Sequence, residues 1–169
     1  MPKPRSRPIA VALALVPLAI AASVVLAGAS HAGPKSTPLH GHMSDIANFG
    51  GPGCTSSTGV CSSFVATGVI SGDGVVSVET LPTPIGVGAE GITKAHTVVH
   101  TRDGDLRCNE AALFDLGGTD HPFVDLCLIS GGTGRYEGAS GYIQEVGTFD
   151  FATNHGEVEY FGKIVYGDG

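Results

Sequence analysis

The stretch Ile92-Thr93-Lys94-Ala95-His96-Thr97-Val98-Val99-His100-Thr101-Arg102-Asp103-Gly104-Asp105-Leu106-Arg107-Cys108-Asn109-Glu110 decides the fold, together with Phe123-Val124-Asp125-Leu126-Cys127-Leu128-Ile129-Ser130 downstream. Both runs are rich in β-branched and aromatic residues and are bounded by turn residues, the signature of strands. Asp103-Gly104 is a two-residue hairpin signal. Centred there, Arg102 pairs with Asp105 and Val99 with Cys108. The next turn, centred on Gly117-Gly118, pairs Cys108 with Cys127 and Glu110 with Asp125. Side chains alternate between faces along a strand. One face therefore carries Thr97, Val99, Cys108, Glu110, Phe123, Asp125, Cys127 and Ile129; the other carries His96, His100, Arg107, Val124, Leu126 and Leu128. Apolar residues stand on both faces of the Phe123–Ser130 run, so the pattern alone leaves open which face lines the core.

The same texture extends outward. Further runs occupy 62–70, 75–79, 141–151 and 157–166, separated by turn residues such as Ser71-Gly72-Asp73-Gly74 and by the break Thr80-Leu81-Pro82-Thr83-Pro84. No window holds the three-and-four spacing of an amphipathic helix. About seven strands at short, regular spacing indicate an all-β protein, and the reading adopted is a single antiparallel β-barrel of seven to eight strands over residues 59–169. Residues 33–58, punctuated by Pro34, Pro38, Gly41, Gly50, Gly51, Pro52 and Gly53, read as a Gly/Pro-rich linker.

Residues 1–32 read as a secretory signal peptide. Lys3, Arg5 and Arg7 form a positive start, residues 9–26 are apolar, and Ala27-Gly28-Ala29 and Ser30-His31-Ala32 both fit a small-x-small cleavage site. An uncleaved anchor is the competing reading; Pro17 in the apolar run and the paired cleavage sites favour removal. The expected product is a secreted protein with no membrane attachment, cleaved near Ala29 or Ala32.

Composition supports export and excludes several functions. The 169 residues carry a formal charge of −7, and 42% are hydrophobic against 15% charged. Residues 33–169 hold six Lys or Arg against 16 Asp or Glu, a formal −10. An acidic chain of this kind does not bind nucleic acid, which requires a basic surface to neutralise phosphate. A mean hydropathy of +0.21 is too high for disorder. Four cysteines in an exported chain are read as the disulfides Cys54–Cys61 and Cys108–Cys127. A zinc site has no CxxC to support it.

The segment Ile129-Ser130-Gly131-Gly132-Thr133-Gly134-Arg135-Tyr136-Glu137-Gly138-Ala139-Ser140-Gly141-Tyr142 resembles the GGTGRF-x-GA-x-G signature of the allene oxide cyclase-like barrels, the group that includes dirigent proteins. The likeness extends in pattern over about residues 60–167, and only the glycine cluster is specific. It implies an eight-stranded barrel, often trimeric, with a cavity for an apolar small molecule. Function belongs to a site and not to a barrel, and none of the family's catalytic positions is carried over. The cluster is not a nucleotide loop: its spacing is G-x-G-x-x-x-G and a strand follows it.

Glu110 and Asp125 are the candidate catalytic pair. Opposed carboxylates destabilise a hairpin, and inside a cavity they raise one another's pKa and can serve as acid and base. Thr97, Val99, Phe123 and Ile129 would then line the cavity. His96 and His100 stand about 13 Å apart along one strand, too far to share a metal, and no metal or cofactor is expected. The expected partner is a small apolar molecule, alongside a second copy of the chain that covers Val124, Leu126 and Leu128. The function expected first is non-covalent binding of that molecule, as in dirigent proteins. An isomerase or cyclase using the cavity carboxylates is the alternative, and a structural barrel filled by its own side chains is a third.

Overall fold

The computed structural model describes residues 35–51, 53–85 and 90–167; the proposed signal peptide lies outside them. Eight strands follow in chain order: β1 (Ser36–Phe49), β2 (Val60–Gly68), β3 (Gly72–Pro84), β4 (Glu90–Thr101), β5 (Gly104–Asp115), β6 (His121–Gly132), β7 (Ser140–Asp150) and β8 (His155–Val165). Each is antiparallel to its chain neighbour, and β1 also pairs with β8 from Ser36↔Val165 to Ile46↔His155. The sheet is thus a closed barrel with no free edge.

This corrects the linker. Residues 36–49 are a strand, and the barrel begins there and not at 59. Pro38 and the glycines read as a break because turn residues and strand residues were weighed locally. Leu39, Met43 and Ala47 turn inward while His40 and His42 turn out, a two-residue alternation stretched over a glycine. Gly41 itself is required: a Cβ there would collide with the Tyr160 ring and the Thr67 carbonyl.

Both hairpin registers are also corrected, each by two residues. At the β4–β5 turn the two loop residues are Arg102 and Asp103, and Thr101 pairs with Gly104. Gly104 follows the turn with φ +131°. The Thr101 hydroxyl donates to the Gly104 carbonyl (2.8 Å) and accepts from the Asp103 N–H (3.1 Å). Val99 consequently faces Leu106, and His100 meets Asp105 at 2.8 Å instead of Arg107. The β5–β6 loop runs on past the two glycines, with the Asp115 carboxylate accepting from the Gly117 N–H at 2.8 Å. Cys108 therefore opposes Ile129, and Glu110 opposes Cys127. A shift of two preserves every face, so Cys108 and Cys127 remain diagonal neighbours and form their disulfide with Cα atoms 5.5 Å apart. Cys54–Cys61 is the second disulfide, at a Cα separation of 5.6 Å.

The face bearing the disulfide points inward. One end of the barrel is filled by Leu39, Phe64, Ile70, Leu106, Ile129 and Ile164, all buried. The glycine cluster closes this end by a tight turn, Gly134–Tyr136, that sends Tyr136 into the core. Tyr160 completes the closure. Its hydroxyl accepts from the Ile70 N–H (3.0 Å) and can donate to the Ile70 carbonyl (2.9 Å) or the Thr67 carbonyl (3.1 Å). Ile70 lies in the β2–β3 connection, where no strand partner is available to its amide and carbonyl. Tyr160→Phe removes the partner of a buried amide and should cost about 1–3 kcal/mol, read as a lower urea midpoint with an unchanged slope; an unaltered midpoint would mean that the hydroxyl contributes nothing to closure.

Candidate functional site

The opposite end is open. Phe49, Phe114, Phe123, Phe149 and Phe151 line a cavity of about 240 Å³ beneath the β1–β2, β3–β4, β5–β6 and β7–β8 connections. Phe114 stacks on Phe123 with centroids 4.9 Å apart, and Phe149 meets Phe151 edge-on at 5.0 Å. These rings stand around the mouth and do not shut it. Below the cavity lies a much smaller space of about 20 Å³ among Met43, Phe64, Val99 and Tyr160, room for a single water. Asp45, Glu110 and Glu145 line both spaces and so form the cavity floor, while Asp125 lines the upper one.

Four carboxylates thus come from four strands: Asp45 from β1, Glu110 from β5, Asp125 from β6 and Glu145 from β7. Glu145 lies directly opposite Asp125. Glu110 and Asp125 are not directly opposed as the sequence suggested; Asp125 faces Ala112 on β5, and the two acids are diagonal. Burial is the main cause of every shift in the group. It lifts Asp45 to about 7, with the Asp125 charge adding to the effect. Asp125 rises to about 6. Glu110 is pushed well above the usual range by burial and then by Asp125, and Glu145 by burial and then by Glu110 and Asp125. One oxygen of Asp125 and the Thr97 hydroxyl oxygen are buried without a hydrogen-bond partner.

Of the residues singled out from sequence, Glu110, Thr97 and Val99 line the inner space, and Phe123 and Asp125 line the cavity. Ile129 does neither. It belongs to the packing of the closed end, since it lies near the end of β6 that leads into the glycine cluster. Asp45 and Glu145 went unnoticed. Asp45 lies in what read as a linker. Glu145 could have been found by carrying the two-residue alternation across the glycine cluster, since Ile143, Glu145 and Phe149 share one face. His96 and His100 stand outside the barrel, bonded to Asn109 and Asp105 at 2.8 Å. Among the described residues, the group of possible metal ligands that converges is Cys108, Glu110 and Cys127, and its two sulfurs are joined to each other.

No family model matches the chain, and no curated protein is similar to it. Two solved structures are similar in part. The pterocarpan synthase dirigent protein PsPTS1 shares 18% identity at a TM-score of 0.37, over 80% of this chain and 97% of its own. The pterocarpan synthase dirigent protein GePTS1 shares 17% at a TM-score of 0.33, over 80% and 87%. Both are dirigent proteins. The barrel rests on its own strand register, and nothing of either protein's activity transfers at this level of likeness.

The acid cluster governs stability against pH. Raised carboxyl pKa values mean that the folded chain holds protons the unfolded chain has released, so stability falls as pH rises from about 4 through about 7. Glu145→Gln removes one buried charge and should raise the urea-derived stability at pH 8 by about 1–2 kcal/mol, with a smaller gain at pH 5. An equal gain at both values would mean that Glu145 is not titrating in this range.

Proposed function

We propose that this protein is an exported barrel that holds a small, largely apolar molecule non-covalently in its open half. The observation that supports this most is the cavity of about 240 Å³ behind a ring of phenylalanines. It is near the lower end of the size range of ligand sites, which are apolar with a few convergent polar groups. A guest of one or two rings fits that space. Two disulfides and an acidic composition are consistent with an oxidising compartment outside the cytosol. Among the described residues, no helix is long and apolar enough to cross a membrane.

The outer surface suggests a second copy of the chain. Val124, Leu126 and Leu128 on β6 are 50%, 42% and 53% exposed. They run beside Leu113 on β5 and Val146 and Tyr142 on β7. A contiguous apolar strip of this kind is characteristic of an interface. Native mass spectrometry of protein purified from its exporting cell should report loss of the first 29 or 32 residues, two disulfides, more than one chain per particle, and a retained small molecule that Ala112→Trp, which fills the cavity, eliminates. Four free thiols would overturn the disulfide framework, and a guest that survives Ala112→Trp would move the site elsewhere.

One observation favours a second reading, an isomerase or cyclase. Burial raises Glu110 and lifts Asp45 to about 7, and a carboxyl group protonated near neutral pH can act as a general acid toward a bound molecule. Where a cavity guest is found to be converted, Glu110→Gln with Asp125→Asn should lower turnover by about 100-fold or more; unchanged turnover removes the catalytic reading and leaves the binding one.

A further inference from the structure

We propose that the guest is a lipophilic amine, whose apolar body lies against the phenylalanine wall and whose protonated nitrogen sits among Asp45, Glu110, Asp125 and Glu145. This deepens the binding reading and rests on it. Four acids on a cavity floor would not identify a ligand by themselves; three further observations do.

The first is an acceptor without a donor. Thr97 is 4% exposed and lines the inner space with three of the acids. Its hydroxyl turns toward Glu110 and lowers that acid's pKa, yet its oxygen accepts from no donor, and one oxygen of Asp125 has no partner. A buried acceptor left bare costs free energy, and an ammonium group brings up to three N–H donors to such a place.

The second is charge. All six Lys and Arg of the described residues are exposed, and none lines either space. Taken strand by strand, the groups facing the cluster are Asp45 from β1, Thr97 from β4, Glu110 from β5, Asp125 from β6, Glu145 from β7 and the Tyr160 phenol from β8; β2 and β3 contribute Phe64 and Val76, which do not titrate. His155 acts on Asp45 from outside and is itself bonded to Glu157 at 2.8 Å. Among the described residues no cation faces these acids when they ionise, and a cationic guest is the group that would balance them. An anionic guest such as a fatty acid would meet four acids, and a guest without an N–H or O–H would leave the acceptors bare.

The third is the spacing of the oxygens. No three of these carboxylates bring oxygens within 4.8 Å of one another, whereas a bound divalent ion draws its oxygen ligands to 2.6 Å or less from one point. An organic ammonium tolerates the looser arrangement, and the aromatic rings above it suit both its hydrocarbon part and its charge.

Binding should couple to protons. A cationic guest favours the ionised acids, so its affinity rises as pH climbs from 5 to 8, where Asp125 and then Asp45 lose their protons. The test is calorimetric titration with three probes of one shape: 4-phenylbutylamine, 4-phenylbutanol and 4-phenylbutyrate. At pH 8 the amine should bind at least about tenfold more tightly than the alcohol, the butyrate should not bind, and the amine's advantage should shrink at pH 5. Glu110→Gln with Glu145→Gln should abolish the difference between amine and alcohol, and a preference for the amine that survives in this variant would overturn the inference. Equal affinity of amine and alcohol for the wild-type chain would overturn this inference and leave the binding reading standing. Tightest binding of the butyrate, or calcium chloride displacing the amine, would also overturn it. Failure of all three probes to bind would overturn the binding reading itself.

Discussion

The pairing of β1 with β8 is the constraint on which everything else depends. Eleven residue pairs, from Ser36↔Val165 to Ile46↔His155, turn an eight-strand ribbon into a tube. Without them the sheet would present two unpaired edges and no interior. With them, the alternation of side chains acquires an inside and an outside, and residues 100 positions apart in sequence become neighbours. Asp45 reaches the acids of β5, β6 and β7 only because β1 closes the ring.

Closure creates two unlike halves. The end sealed by Tyr160 and the glycine cluster is packed as a core should be, with large aliphatic and aromatic side chains leaving a space for one water. The other half places ionisable groups where apolar side chains would be more stable. The covalent bonds fall near this weaker half. Cys108–Cys127 lines the inner space beside Glu110, and Cys54–Cys61 ties the β1–β2 connection to the start of β2. Cross-links of this kind stabilise the fold by about 2–4 kcal/mol, which offsets part of the cost of burying the acids.

The all-β class, the sorting of the central hairpins' residues into two faces and both cysteine pairs were legible in the sequence because a two-residue period and an even cysteine count are local signals; which face turns inward was not, because β6 is apolar on both. Register was harder. A turn with Gly104 after its loop residues and one with Gly104 within them look alike on paper, and they differ by two positions in every pair that follows. The error spared the faces because two is the period of a strand, which is why Glu110 and Asp125 were assigned to the right side with the wrong partners. β1 escaped notice for another reason. Pro38 sits on it with its ring outward, Gly41 makes room for Tyr160, and neither fact can be known before the barrel is closed. Asp45 was lost with the strand. Glu145 was lost because a turn with Gly134 and Gly138 at positive φ separates β6 from β7, and the hairpin register does not run through it.

The Tyr160 seal has a consequence for traffic through the barrel. A tube stopped at one end is a blind alley, so arrival and departure share a single route past Phe49, Phe114 and Phe151. Whatever goes in last comes out first. A molecule with one polar tip must travel tip-foremost to reach the acids, and a longer tail stays in the doorway where it meets whatever lies outside. A guest held as proposed would always present the same end, and a receiver on the outer side would see only the tail.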